Sequence, residues 1–319
     1  MNVRHFRKVS DLSAEEIRRI LVEATRMKSA PLADTHVLAG RSVALIFSKP
    51  STRTRVSFSV GVHQLGGFAL SLSEQEQQMR KSESIADTAR VLSRYVDALV
   101  IRTFAQADVD DLAAWATIPV VNALTDDRHP CQALTDIFTF MECFPDARGR
   151  QITYLGDGNN VATSLAAAGA MTGIDVCLSV PEGHDVPPRL WAEIQQLASD
   201  HHTRVWVERD PRAAVAEASA LYTDVWISMG QAHDEQKSRA LEPYRIDASL
   251  VGAALPEAVV MHCLPAHRGA EITDDVMDGP RSVVFDQAEN RLHVQKALLT
   301  FLMSGDAPSA RSAPGCSSC

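Results

Sequence analysis

"SVALIFSKPSTRTRVSFSVGVHQLGG", Ser42 to Gly67, is the stretch that decides the fold. Its first six residues, Ser42 to Phe47, form an unbroken run that reads as a buried strand. From Val56 onward the spacing is helical, and paired glycines close it. Ser51, Thr52, Arg53, Thr54 and Arg55 stand where the strand hands over to the helix. A helix N-terminus offers free N–H groups and the positive end of a dipole, which together hold an oxyanion. Ser51 is placed to cap the helix, Thr52 and Thr54 add hydroxyl donors, and guanidinium forks match phosphate geometry. The turn therefore reads as a phosphate cradle built without a glycine loop. Arginines at a helix start often only face solvent, so the reading needs support from the ends of other strands.

Working outward, the same alternation recurs. Ser13 and Glu16 form a capping box before a helix with Ile17, Ile20, Leu21 and Ala24 on one face. "FALSLS" reads as a strand, "EQEQQMRKSES" as an exposed loop, and "SIADTARVLSRY" as a helix. "DALVI" is a strand ending at Arg102, "DDLAAWA" a helix, and "IPVVNAL" a strand ending before "TDDRHPCQ". A long helix, "QALTDIFTFMECF", follows, and then the alternation restarts with strand "QITYLGD", helix "NVATSLAAAGAMTG" and strand "DVCLSV". Further strands are expected at "TRVWVE", "ALYTDVWI", "AVVMHCL" and "SVVFD", with a last helix "AENRLHVQKALLTFLM". Strand–helix alternation implies parallel sheets covered by helices. The expected fold class is α/β: two doubly wound domains, each a parallel sheet with helices on both faces, joined by inter-domain helices. The expected units are residues 1–133, completed by a C-terminal helix at about 288–303, and residues 134–287. The Ser/Pro/Gly/Ala-rich tail 304–319 is expected to be disordered.

Ligands of open parallel sheets bind beyond the C-terminal ends of the strands. Arg102, His129 and Gln132 follow strands there, so they join the arginines of the opening stretch at one rim. In the second half, "YLGDGNNVATSL" is a weak match to a dinucleotide loop, because Val161 occupies the third glycine position. Asn160 sits at that helix start. Asp224 ends a strand and is suited to hold an ammonium group, with Ser228 and Met229 just after it. Cys263 lies between His262 and His267, a pattern that raises a thiol nucleophile or zinc. No four ligands at zinc spacing are present, and no metal is expected.

The totals narrow the classes. With 319 residues the chain has room for two cores, and 45% hydrophobic with 22% charged residues is a globular composition. A net charge of −9 argues against nucleic acid as partner, so positive charge near Arg53 must serve a local ligand. No apolar run reaches membrane-span length, and "MNVRHFRKVS" lacks the apolar core of a signal peptide, so neither membrane nor export is expected. Cysteines 131, 143, 177, 263, 316 and 319 are too few and scattered for a disulfide framework, which points to a reduced, cytoplasmic protein.

Taken together and in order, "STRTR", "HPCQ", "DVWISMG", "HCLPAHRG" and "DQAENRLHVQKALL" resemble the ornithine carbamoyltransferases, from the first helix to about Leu302. "GDGNN" and "DTARVLSRYVDALVIRTF" fit the same pattern. The resemblance implies transfer of the carbamoyl group of carbamoyl phosphate to the δ-amine of L-ornithine, giving L-citrulline and phosphate, with no cofactor. A relative acting on another diamino acid is the alternative. It further implies a carbamoyl-phosphate domain followed by an ornithine domain, in trimers or multiples of trimers that share active sites. Carried over by position, Ser51, Thr52, Arg53 and Thr54 hold the phosphate, Arg102 and His129 the carbonyl oxygen, and Gln132 the carbamoyl NH2. Cys263 and the Leu264 carbonyl line the reacting groups, and Arg291 reaches back to carbamoyl phosphate. Asn160, Asp224, Ser228 and Met229 match ornithine positions, and Gln78 matches a residue lent by the neighbouring subunit. Arg53, Arg102, His129, Asp224 and Cys263 are the expected catalytic set. Ser48, Ser59 and Gln287 stand where the family usually has Glu, a change expected to loosen the support of the arginines.

Overall fold

The computed structural model describes residues 3–49, 51–73, 83–227 and 234–303. Gln78, Ser228, Met229 and the tail, together with most of the "EQEQQMRKSES" segment, lie outside the described residues. In chain order the helices and strands are α1 (Ala14–Ser29), β1 (Ser42–Phe47), α2 (Thr52–Gln64), β2 (Phe68–Ser73), α3 (Ile85–Leu92), β3 (Ala98–Arg102), α4 (Gln106–Trp115) and β4 (Val120–Leu124). The chain continues through α5 (Pro130–Cys143), β5 (Gln151–Leu155), α6 (Asn160–Thr172), β6 (Asp175–Ser179), α7 (Pro188–His201), β7 (Val205–Val207), α8 (Pro211–Val215) and β8 (Ala218–Thr223). It ends with α9 (Glu235–Leu241), α10 (Ala248–Val251), β9 (Val259–His262), α11 (Asp274–Met277) and α12 (Val284–Met303).

Among the described residues the strands make two all-parallel sheets, ordered β2-β1-β3-β4 and β7-β6-β5-β8-β9. Each sheet reverses direction once, between β1 and β3 in the first and between β5 and β8 in the second. Those reversals are the switch points where a crevice opens.

Alternate residues explain why both faces are covered. In the first sheet, Val43, Leu45 and Val100 face α1, α2 and α5, while Ala44, Ile46, Leu99 and Ile101 face α3 and α4. In the second, Ile152, Tyr154 and Tyr222 face α6, while Leu155, Leu221 and Val260 face α10 and α11. One apolar core runs unbroken from the first sheet through α5, α6 and α12 to the second. Helix α12 packs on α1, α2 and α5, so the C-terminal segment belongs physically to the first half of the chain.

The Ser13–Glu16 capping box is present, with Ser13 N–H donating to Glu16 at 2.9 Å and Glu16 N–H to Ser13 at 3.3 Å. Three expectations differ. "SVVFD" is not a strand: only Ser282 bridges Val260, and α12 begins at Val284, four residues before the expected 288. Gln287 N–H already bonds Val283 C=O at 2.8 Å, so the β-branched pair is absorbed into a helix whose Val284 is fully buried. "TRVWVE" shrinks to Val205–Val207, and α5 starts at Pro130, because proline fits the first turn, where its missing N–H costs nothing.

Candidate active site

Strand register assembles the site. β1 and β3 pair Phe47 with Arg102, and Ser48 N–H donates to Arg102 C=O at 2.9 Å. The turn carrying Ser51 to Arg55 therefore sits beside Arg102. In the other sheet Leu155 pairs with Thr223, which pairs with His262. The residues just past those strand ends, Asn159, Asn160, Asp224 and Cys263, are brought together in the same way. Both rims open on one cleft of about 610 Å³, lined by Ser51, Thr52, Arg53, Thr54, Arg102 and His129 from the first half and Asn160, Asp224, Cys263 and Leu264 from the second. Arg291 reaches the same cleft from α12.

Ser51 takes the extended backbone of an N-cap, yet its hydroxyl makes no capping bond, so the first N–H groups of α2 have no side-chain cap from it. Thr54 is buried and accepts from Arg291 Nη2 at 2.5 Å, which leaves its own O–H to donate. The Nε atoms of Arg53, Arg102 and Arg291 are buried and have no hydrogen-bond partner among the described residues. None of the three arginines has a salt bridge to a described carboxylate. Burial, then the neighbouring Arg291 and Arg53, pulls the Arg102 guanidinium down to about 10. Burial likewise lowers Arg53 and Arg291. Like charges crowded in a dry site call for an anion. His129 is driven well below its usual value by burial, Arg291 and Arg102, so it is a neutral imidazole able to donate one hydrogen bond.

The opposite wall is acidic and polar. Cys263 Sγ donates to Asp224 Oδ1 at 2.9 Å, and Asn159 Nδ2 donates to Asp224 Oδ2 at 3.0 Å. Burial first, then Asp224, raises the Cys263 thiol well above its normal value, which makes it a protonated donor and a poor nucleophile. The Asp224, His262 and Cys263 ligand atoms lie within 4.8 Å of one another, but each is already committed. His262 Nδ1 accepts from Leu264 N–H at 2.8 Å and its Nε2 pairs with buried Glu271 at 3.2 Å. Leu264 itself lies in the left-handed region at φ 57°.

Asn160 Nδ2 donates to Thr125 C=O at 2.6 Å, tying the second half to the loop before His129. Gln132, expected at the same rim, is not among the residues lining the cleft; it is buried on α5, with Nε2 donating to Asp136 at 2.8 Å and Oε1 without a partner among the described residues. Sequence reasoning missed Asn159. It caps α6 through Val161 and Ala162 N–H and orients Asp224, and an Asn directly before a helix start is the signal that marks it.

The family description "Aspartate/ornithine carbamoyltransferase, carbamoyl-P binding domain" matches residues 4–142, and "Aspartate/ornithine carbamoyltransferase, Asp/Orn binding domain" matches 148–302. The chain belongs to the aspartate/ornithine carbamoyltransferase family. It is 52% identical over 310 residues to an ornithine carbamoyltransferase of Parafrankia, covering 95% of this chain and 97% of that protein. The anabolic ornithine carbamoyltransferase of Pyrococcus furiosus is 50% identical over 302 residues, covering 93% and 95%. Among solved structures, ornithine carbamoyltransferase from Pyrococcus furiosus superposes with a TM-score of 0.92 at 48% identity, over 95% of this chain and 98% of that one. Its fold thus matches a carbamoyltransferase over both sheets.

Proposed function

We propose that this carbamoyltransferase moves the carbamoyl group of carbamoyl phosphate to the δ-amine of L-ornithine, forming L-citrulline and phosphate in the anabolic direction. The observation that carries the reading is the pairing of two unlike walls. Three guanidiniums with no salt bridge to a described carboxylate face, across one cleft, a carboxylate that holds a thiol. The first wall suits a dianion and the second an amine.

In this reading Ser51, Thr52, Thr54 and the N–H groups of α2 bind the phosphate with Arg53. Arg102, Arg291 and neutral His129 donate to the carbonyl oxygen as charge builds there, and Gln132 Oε1 accepts from the carbamoyl NH2. The free δ-amine is protonated at neutral pH, with a pKa near ~10.4 by analogy with lysine, so the site must favour its neutral form. Asp224, Cys263 and the Leu264 carbonyl orient that amine. Its nitrogen attacks the carbamoyl carbon, the bond from carbon to the phosphate oxygen breaks, and the amine proton leaves on phosphate. Asn160, Ser228 and Met229 hold the amino-acid end. No nucleophile, metal or nucleotide is assigned to the step.

We assign residues 1–133, with the part of α12 at about 288–303, to carbamoyl phosphate and 134–287 to ornithine, a division supported by the seating of α12 on α1 and α2. We place the enzyme in the cytoplasm, in keeping with the four free cysteines among the described residues. We assign it a homotrimer in which Gln78 of a neighbouring subunit completes the phosphate site. Outer strand β2 exposes Phe68 and Leu70, and α2 beside it exposes Val56 and Val60, apolar surface of the kind that interfaces cover. Citrulline formation with ornithine and with shorter and longer diamino acids tests the reaction. Turnover confined to a different acceptor would transfer the assignment to that substrate, and no turnover with any acceptor would end it.

A further inference from the structure

Asp136 lies one helical turn after Gln132 on α5, is fully buried, and forms no part of the cleft wall. Three donors converge on it. Gln132 Nε2 at 2.8 Å and Gln287 Nε2 at 2.7 Å reach Oδ1, and Tyr222 Oη at 3.0 Å reaches Oδ2. The Gln287 amide cannot turn round, because its Oε1 accepts from His262 N–H at 2.9 Å. Tyr222 cannot become an acceptor phenolate, because burial raises its hydroxyl far above the usual range. A carboxylate ringed by donors takes Gln132 only by its NH2 end. Gln132 Oε1 is thereby turned away from Asp136, buried and without a partner among the described residues.

We propose that Asp136 is a positioning residue that sets the polarity of the Gln132 amide, so that its oxygen and not its NH2 meets the carbamoyl NH2 group. This rests on the assignment of Gln132 made above. An amide facing the other way would set donors against donors and lose the hydrogen bond. The arrangement is sensitive to pH. Arg291 on α12 faces Asp136 as a charge, while Tyr222 on β8 and the Cys263 thiol after β9 face it as neutral groups. Burial outweighs Arg291 and the three donors and raises the carboxyl to about 7. Below that pH Asp136 acquires a proton, can itself donate to Gln132 Oε1, and no longer dictates the amide's orientation.

The test is steady-state kinetics of citrulline formation from about pH 6 to about pH 9 with Asp136→Asn, Gln132→Ala and the double variant. Asp136→Asn is expected to raise the KM for carbamoyl phosphate about tenfold or more above pH 8 and to remove the acid limb near pH 7. In the Gln132→Ala background it should change nothing further. Independent, additive losses, or an acid limb that survives in Asp136→Asn, would overturn the role of Asp136 and leave the reaction itself standing. An unchanged KM in Gln132→Ala alone would overturn the assignment of Gln132 and this proposal with it. Should Asp136→Asn fail to fold, Tyr222→Phe removes one donor to the carboxylate and is expected to move the acid limb to higher pH; an unmoved limb would be decisive against the idea.

Discussion

Arg102 is 5% exposed, carries a positive charge, and has two other guanidiniums as its electrostatic neighbours. Its pKa is depressed from the ordinary guanidinium value to about 10 in the fold, so for this base the folded state disfavours the charged form. The destabilisation is fully present below pH 10, hence at neutrality, and fades only as pH rises from about 10 toward the ordinary guanidinium value. Arg102→Met is therefore expected to raise the melting temperature by a few degrees and to lack the further rise that millimolar phosphate is expected to give the parent protein. Thermal unfolding with and without phosphate measures both, and a lower melting temperature in the variant contradicts the account. Arg53→Ala should reduce turnover by roughly two to three orders of magnitude with the fold intact, as read by citrulline assay and circular dichroism. At this scale the sequence was readable for Arg102, which ends β3, and for Arg53, in the turn after β1, whereas Arg291 on α12 was marked only by the family resemblance. It was not readable for Cys263. Thirty-nine residues separate it from Asp224, and only the pairing of β8 with β9 makes the two a hydrogen-bonded pair rather than a nucleophile or zinc ligand.

The strand-to-helix turns are the elements on which everything hangs, and their glycines differ in what they do. Gly158, in the turn between β5 and α6, donates its N–H to His184 C=O at 2.8 Å. A Cβ there would lie 2.4 Å from Val186 N and 2.6 Å from His184 O, both backbone atoms that cannot swing aside. The glycine is thus explained by chain meeting chain, with no cofactor needed to account for it. Gly158→Ala should displace Asn159 and Asn160, costing about 1–3 kcal/mol of stability and raising the KM for ornithine, while carbamoyl phosphate binding measured by calorimetry is retained. Equal weakening of both substrates would mean that the two rims are not separable. Buried parallel strands were legible from their apolar runs, but "SVVFD" was not. Five residues with β-branched centres do not distinguish a strand from the first turn of a helix, and the burial of Val284 under α10 and α11 settles it. Gln287 was expected to affect the arginines; its own partners are the His262 backbone and Asp136, through which it is one step from Arg291. A departure seen in one dimension does not announce whom it touches.

Across the whole molecule, the halves are joined by the continuous core through α5 and α12 and by contacts spanning the cleft mouth. Arg128 donates to Glu193 of α7 at 2.6 Å, Arg189 pairs with Asp127, and Asn160 holds Thr125. Composition and alternation foretold two sheets, whereas these cross-links needed the tertiary structure, because surface ion pairs leave no pattern in a sequence. Assembly is the remaining level. Phe68 is 62% exposed and Leu70 41% on a strand that forms the outer edge of its sheet. A charge at such a position costs little in a monomer but opposes burial against a second chain. If the chain assembles as the proposed homotrimer, Phe68→Asp is therefore expected to leave the melting of each subunit nearly unchanged and to yield monomers in sedimentation velocity. If a neighbour's Gln78 completes the phosphate site, the monomer should also lose carbamoyl phosphate affinity by about tenfold or more, and high protein concentration should restore it in step with reassembly. A variant that sediments as a monomer with full affinity would place every phosphate ligand within one chain. One that remains trimeric would move the interface away from β2.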